Sequence, residues 1–527
     1  MDVRDYIESN ASGFFAALKE WLAIPSISGD PERRDDVRRS AEWLQGHLRE
    51  TGFPVVEIWE TGTDGAPGLP AVFAEWPAAD PAAPTVVVYG HHDVQPVEPI
   101  AEWDTEPFAP VDRDGRIIGR GASDDKGQVF FHTLGLRAGL AASGAAAPPV
   151  TIKMLIEGEE ESGSPHFAQL LRDRRDRLDC DAIVISDTTM WAADVPSMCT
   201  GMRGLTEGSV SLYGPSVDLH SGSFGGAVPN PLHAMAQLLA GLHDDRNRVT
   251  LKGFYDGVVE LTDEERASFA RLPFDEAEWL ATAGESRAAY GEEGFTTLER
   301  VWARPTAEIN GMWGGHTTNW TFKAGTYVNE NSNAGAGDEF PADTVLVLRV
   351  KVGDAGYRDP AGNPVPETVL ENSSGDGTLS SGGKTIVPRE AHAKLSFRLV
   401  AGQDPVAVQE AFETYVAEHT PPGVRAEVSF PQGNGVRPCF SPIDSPGVMA
   451  ARRAMERAFG QEVLFTREGG SGPEADLADI LEAPLVFVAV GLDEDHIHAP
   501  NEKVEKALLL KGAEVAAYLW DEFASRA

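Results

Sequence analysis

Thr85-Val86-Val87-Val88-Tyr89-Gly90-His91-His92-Asp93 is a short β-branched run that ends on a glycine, two imidazoles and a carboxylate. Its apolar residues do not alternate with polar ones, so the strand it predicts is buried on both faces, as in a parallel sheet. Val150 to Ile156, Ala182 to Ser186 and Leu485 to Val490 share that character. A helical stretch, Gln128 to Ala142, stands between the first two runs, and the chain up to about Leu48 also reads as helical. The alternation predicts an α/β fold on a mostly parallel sheet.

Between about Gly208 and Arg437 the pattern changes. Strands are predicted at Ser209 to Tyr213, Ala393 to Val400 and Arg425 to Phe430, with helices at Pro231 to Leu242 and Pro405 to His419. This predicts an α+β unit, residues 208–437, inserted into a discontinuous main domain made of residues 1–207 and 438–527. Inside it, residues 316–381 are rich in Gly, Asn, Asp and Ser, with one strong strand candidate at Thr344 to Val352. A structureless loop of that length is unusual, so a small β-rich insertion is expected there.

The chain has 527 residues, enough for more than one domain. Asp and Glu total 82 against 44 Lys and Arg, for a net charge of −38, which repels nucleic acid and anionic membranes. Diffuse acidity is not a metal site. Solubility, or adaptation to a salty interior, is the reading for the bulk of it. Three cysteines, Cys180, Cys199 and Cys439, argue against a disulfide framework and fit a reducing compartment. Met1-Asp2-Val3-Arg4-Asp5 does not open a signal peptide, and no apolar run approaches the roughly 20 residues of a membrane span. The expected location is cytoplasmic.

Five clusters of acidic or imidazole groups follow the four strand candidates or lie in a loop between them. Ligands of open parallel sheets bind beyond the carboxyl ends of the strands, so distant clusters can converge. In Gly90-His91-His92-Asp93 the His-x-Asp spacing lets an imidazole bind a metal while the Asp holds the ring. A core histidine at a strand end is the plainer alternative. Gly119 to Gly127 carries Asp124-Asp125 between glycines, where one carboxylate could bridge two ions, or could merely solvate a turn. Glu157-Gly158-Glu159-Glu160-Glu161 places many carboxylates after an apolar strand, and they repel one another unless cations or protons intervene. One could bind metal while its neighbour remains a general base. Ser186-Asp187 is a weak signal by itself, and Asp493 to Glu502 offers His496 and His498 or an acidic loop. Jointly the clusters supply two imidazoles and several carboxylates. That mixture suits two divalent ions sharing one carboxylate, with room for a water that they acidify.

These motifs, in this order, resemble the metallodipeptidases typified by carnosinase and bacterial peptidase V, within peptidase family M20. Its clan includes the acetylornithine deacetylases and succinyl-diaminopimelate desuccinylases. The resemblance covers nearly the whole chain except roughly residues 316–381. It implies a catalytic domain with an inserted lid that dimerises, and two divalent ions, Zn2+ foremost, with Mn2+ or Co2+ also fitting. His91 and Asp187 would bind one ion, Glu161 and His498 the other, and Asp124 both, with the Asp124-Asp125 peptide cis. Asp93 would orient His91, and Glu160 would be the general base. His220, in Asp218-Leu219-His220-Ser221-Gly222, would reach the active site of the other subunit of a homodimer. Arg398 would clamp the substrate's C-terminal carboxylate, and Gly470 and Ser471 would contact its backbone. The implied activity is hydrolysis of dipeptides or short peptides. Two rivals stand beside it, an N-acyl-amino-acid deacylase of the same clan and a non-catalytic, metal-dependent peptide-binding protein. His92 and His496 stand close enough to the implied ligands to compete with them.

Overall fold

The computed structural model describes every residue except 64, 285, 316–384, 431–434 and 526–527. The expected insertion at 316–381, with its strand candidate, lies outside the described residues. A six-stranded sheet runs in the order Val55–Trp59, Ala71–Trp76, Thr151–Glu157, Thr85–His91, Ala182–Ile185, Leu485–Phe487. The last four are the four apolar runs, and they are parallel, with Val88 level with Met154 and Val184, and Val184 level with Val486. The first two, absent from the sequence reading, add an antiparallel edge.

The unbroken apolar run has a direct cause. Val86 and Val88 face one layer, packing with Phe14, Leu18, Trp21, Phe130 and Leu509 of the surrounding helices. Val87 and Tyr89 face the other layer, with Phe167, Leu171 and Leu477. Successive side chains of a strand point to opposite faces, so a strand covered on both sides must be apolar at every position. Each fully buried aliphatic side chain contributes about 1.5–3 kcal/mol, which makes this sheet the stable platform for whatever its loops carry.

A second, four-stranded antiparallel sheet has the order Thr306–Gly314, Glu390–Leu399, Gly204–Tyr213, Arg425–Ser429. Burial alternates strictly along Gly204–Tyr213, as expected when one face alone is covered. The helices Pro231–Ala240 and Pro405–His419 cover that face. Each starts with a side-chain cap, Asn230 or Asp404, followed by a proline whose missing N–H would be unpaired anyway. The three predicted strands and two predicted helices are present, Gly204–Tyr213 beginning five residues before the predicted start, and Thr306–Gly314 is a fourth strand the sequence reading did not contain.

The stretch between these elements is less regular. Helices Asp263–Phe269 and Thr297–Ala303, both begun by Thr–Glu capping boxes, contact the strand Leu464–Glu468. Ser268 Oγ accepts the N–H of Phe465 at 2.7 Å, and Glu265 forms a buried ion pair with Arg467. Sequence distant from 438–527 thus braces the strand that leads into the Gly469-Gly470-Ser471 loop. Among the described residues no helix is long and apolar enough to cross a membrane.

Candidate metal centre

The parallel strands deliver their clusters to one sheet edge. His91 ends its strand, and Gly90 before it is required by a close approach, since a Cβ there would lie 2.4 Å from Asp125 Oδ2. That same carboxylate oxygen accepts the backbone N–H of His91 at 3.1 Å. The peptide between Asp124 and Asp125 is cis. The loop before it is fastened by Glu502, whose buried carboxylate accepts the N–H groups of Gly121, Ser123 and Asp124 at 2.8–3.0 Å. Glu502 also pairs with the buried Arg120 guanidinium at 2.9 Å.

Asp124 is the centre of the arrangement. Its Oδ1 lies 3.0 Å from His91 Nε2, and its Oδ2 lies 2.9 Å from His498 Nε2. Asp187 Oδ2 is 3.6 Å from the same His91 nitrogen, and Glu161 Oε2 is 3.2 Å from the same His498 nitrogen. Two groups of potential ligands result, His91 with Asp124 and Asp187, and Asp124 with Glu161 and His498. Within each, the donor atoms lie within 4.8 Å of one another. One imidazole and two carboxylates per group is a donor set that Zn2+, Mn2+ and Co2+ accept, so the residues fit divalent ions.

His91 Nδ1 sits 3.1 Å from the Asp93 backbone oxygen and 3.4 Å from its carboxylate. Both partners accept, so Nδ1 carries a proton and Nε2 is the nitrogen turned toward Asp124. The Asp93 carboxylate also accepts the N–H groups of Glu160 at 3.3 Å and Glu161 at 3.0 Å. It therefore fixes two of the converging segments at once.

Electrostatics at the cluster follow from burial and mutual charge. Burial and the Asp124 carboxylate push Glu161 up to about 7, and burial pushes Asp187 up to about 6. Burial and the Asp187 carboxylate hold Glu160 well above the usual carboxylate range. Burial works against a charged His91, but Asp187, Asp124 and Asp93 outweigh it and hold the imidazole well above its usual value. Asp124 is held well below its own, because His498 and His91 more than offset its burial. A site that keeps anions and cations so tightly interlocked is one in which added cations displace protons.

The competing imidazoles resolve on geometry. His92 is buried with Nε2 2.9 Å from the Pro70 carbonyl, turned away from Asp124, and burial lowers it to about 4. His496 is exposed in a left-handed turn and belongs to neither group.

Arg398 lines a neighbouring cavity with Arg203 and Arg304, and its Nη1 donates to Ser471 Oγ at 3.2 Å and to the Gly469 carbonyl at 3.4 Å. Gly470 and Ser471 line the same cleft as Asp124, Glu160 and Asp187. His220 is not brought there. It is exposed, and its Nδ1 accepts the N–H of Gly222 at 3.1 Å. Three polar side chains of the site escaped the sequence reading. Gln95 Nε2 donates to Glu161 Oε2 at 2.6 Å, Glu468 accepts from the N–H and hydroxyl of Thr189, and Glu474 lines the cleft beside Glu468. Only Glu468 left a signal, as a carboxylate closing a strand before a glycine pair.

A parallel sheet whose loops gather this donor set is an architecture of metal-dependent hydrolases. The family model described as "Peptidase family M20/M25/M40" matches residues 87–522, and the chain belongs to that family. It is 27% identical to the Cys-Gly metallodipeptidase DUG1 of Saccharomyces cerevisiae, over 97% of this chain and 96% of the relative. It is equally 27% identical to the human Beta-Ala-His dipeptidase, over 99% and 92%. Among solved structures, human carnosine dipeptidase 1 superposes with a TM-score of 0.66 at 27% identity, covering 99% and 98% of the two chains. An M20 metallo-carboxypeptidase of Sulfolobus solfataricus superposes with a TM-score of 0.69 at 25% identity, covering 97% and 99%.

Proposed function

We propose that the chain is a two-metal dipeptidase acting on dipeptides or short peptides with a free C-terminal carboxylate. The observation that carries this reading is the position of Asp124 between two imidazole–carboxylate groups, with Glu160 in the same cleft. His91 and Asp187 would hold one ion, Glu161 and His498 the other, and Asp124 both, Zn2+ being the first candidate and Mn2+ or Co2+ the alternatives. Bound there, such ions supply Lewis acidity toward a scissile carbonyl and lower the pKa of water.

The remaining work falls to the chain's own side chains. Glu160 takes the proton of the attacking water and passes it to the leaving amine, a task suited to a carboxylate whose pKa burial has raised well above its usual range. Asp93 is a positioning residue, holding the His91 ring and the Glu160-Glu161 turn. Arg398 receives the C-terminal carboxylate, and the Gly470-Ser471 backbone aligns the peptide. His220, exposed on the inserted unit, would donate to the carbonyl oxygen in the partner's cleft, which requires a homodimer formed through that unit. Residues 1–207 and 438–527 would then be the catalytic domain and 208–437 the lid. Unpaired Cys180, Cys199 and Cys439 agree with a cytoplasmic location.

The test is hydrolysis of a dipeptide panel, with matched N-acetyl amino acids, by protein stripped of metal and reloaded with zinc, manganese or cobalt. Release of amino acids from dipeptides only after reloading is the expected result. Activity confined to N-acetyl amino acids would make the protein a deacylase. Peptide binding without turnover in any metal form would make it a binding protein.

A further inference from the structure

The mechanism leaves the buried carboxyl of Glu474 unused. Glu474 begins the helix Glu474–Leu481 and is only 2% exposed. Among the described residues no cationic or hydroxyl side chain donates to its carboxylate, whose one hydrogen bond is to its own N–H. A helix N-terminus offsets only a small part of the cost of burying a charge, and burial raises Glu474 to about 8, leaving a carboxyl that a cation entering the cleft would ionise. The residue nonetheless lines the cleft that holds Asp124, Glu160 and Asp187. Gly472 makes room for it, since a Cβ at that position would lie 2.7 Å from both Glu474 carboxylate oxygens. The Asp187 and Glu468 carboxylates act on it more strongly than the His91 imidazole does. A carboxyl-lined wall of this kind is complementary to a cation carried by a short peptide.

We propose that Glu474 is a specificity residue that receives the free ammonium group of the substrate's N-terminal residue. This rests on the dipeptidase reading and extends it. Arg398 would select the carboxylate end of the substrate and Glu474 the amine end. A ligand lacking the amine leaves Glu474 buried without a partner.

The experiment compares Ala-Ala with propionyl-Ala, which differs only in lacking the amine, on metal-loaded wild type, Glu474→Gln and Glu474→Asp. The wild type is expected to favour Ala-Ala in kcat/KM by about tenfold or more, the value of one charge-assisted hydrogen bond. Glu474→Gln should erase most of that preference through KM for Ala-Ala, leave propionyl-Ala within about twofold, and be partly rescued in Glu474→Asp. A Gln variant that loses both substrates in equal proportion, or a wild type that does not distinguish them, overturns the assignment while leaving the dipeptidase reading intact. The wild-type comparison stands even if the variant does not fold. A wild type inactive on both compounds overturns the dipeptidase reading and this assignment together.

Discussion

Asp93 Oδ2 accepts the backbone N–H of Glu161 at 3.0 Å, joining the end of one parallel strand to the turn that leaves its neighbour. The bond matters because the opposite carboxylate oxygen faces His91 Nδ1 at 3.4 Å, so one buried side chain sets the position of a residue from each candidate ion site. Asp93→Ala removes both supports without removing a proposed ligand. Metal affinity should fall about 10–100-fold, the usual cost of losing a carboxylate behind a ligating histidine. Competition with a chelating dye measures it, and unchanged affinity would show that Asp93 does not organise the site.

Glu160→Gln keeps the volume and burial of the side chain but cannot take a proton. Metal content should be unchanged, whereas kcat should fall by about 10²–10⁴ with little change in KM. Metal analysis alongside steady-state kinetics separates the two effects. Near-full turnover in this variant would remove Glu160 from the chemistry.

The shifted carboxylates give metal removal a definite pH dependence. Folded and metal-free, Glu161 titrates near 7 and Asp187 near 6, above their ordinary values of 4.5 and 3.8. The folded state therefore binds more protons than the unfolded one across that range, so metal-free stability falls as pH rises from about 4 to about 7. His498, drawn up to about 10 by hydrogen bonds to Asp124 and Glu161, acts in the same direction above pH 6.5. Bound cations replace those protons, so the loaded protein escapes this loss. The gap in melting temperature between loaded and stripped protein should widen from pH 6 to pH 8. A gap that is constant or narrows would contradict the charge balance described for the cluster.

Arg398→Ala should raise KM for dipeptides about 10–100-fold and leave C-terminally amidated dipeptides nearly unaffected, because only the former offer a carboxylate to the guanidinium. Equal effects on both would mean that Arg398 acts by holding the Gly469–Ser471 loop, which it also touches.

How much of this could be read in advance depended on how strongly each element marks the sequence. The four parallel strands were legible because burial on both faces leaves Val86 to Tyr89 and its counterparts apolar without interruption. The strand Ala71–Trp76 was not, since two of its six residues are alanines, which carry little strand preference. Thr306–Gly314 was hidden for a related reason: Asn310, Gly311 and Gly314 disfavour strands, and the pairing shifts register between Ile309 and Gly311. Among the candidate ligands, His91, Glu161 and Asp187 follow predicted strands, whereas Asp124 and His498 lie in loops and were marked by the donors beside them and by the resemblance. Glu474 could not. At the first turn of a helix an acidic residue is ordinary, and only the fold reveals that it is buried in the cleft.

The most direct test of the account is a titration of metal-stripped protein with zinc, following dipeptide hydrolysis and bound metal together. Asp124 between two ligand groups predicts two ions bound per chain, with hydrolysis reaching its full rate only as the second is filled. Binding of a single ion, or full activity at one equivalent, would contradict the shared role of Asp124.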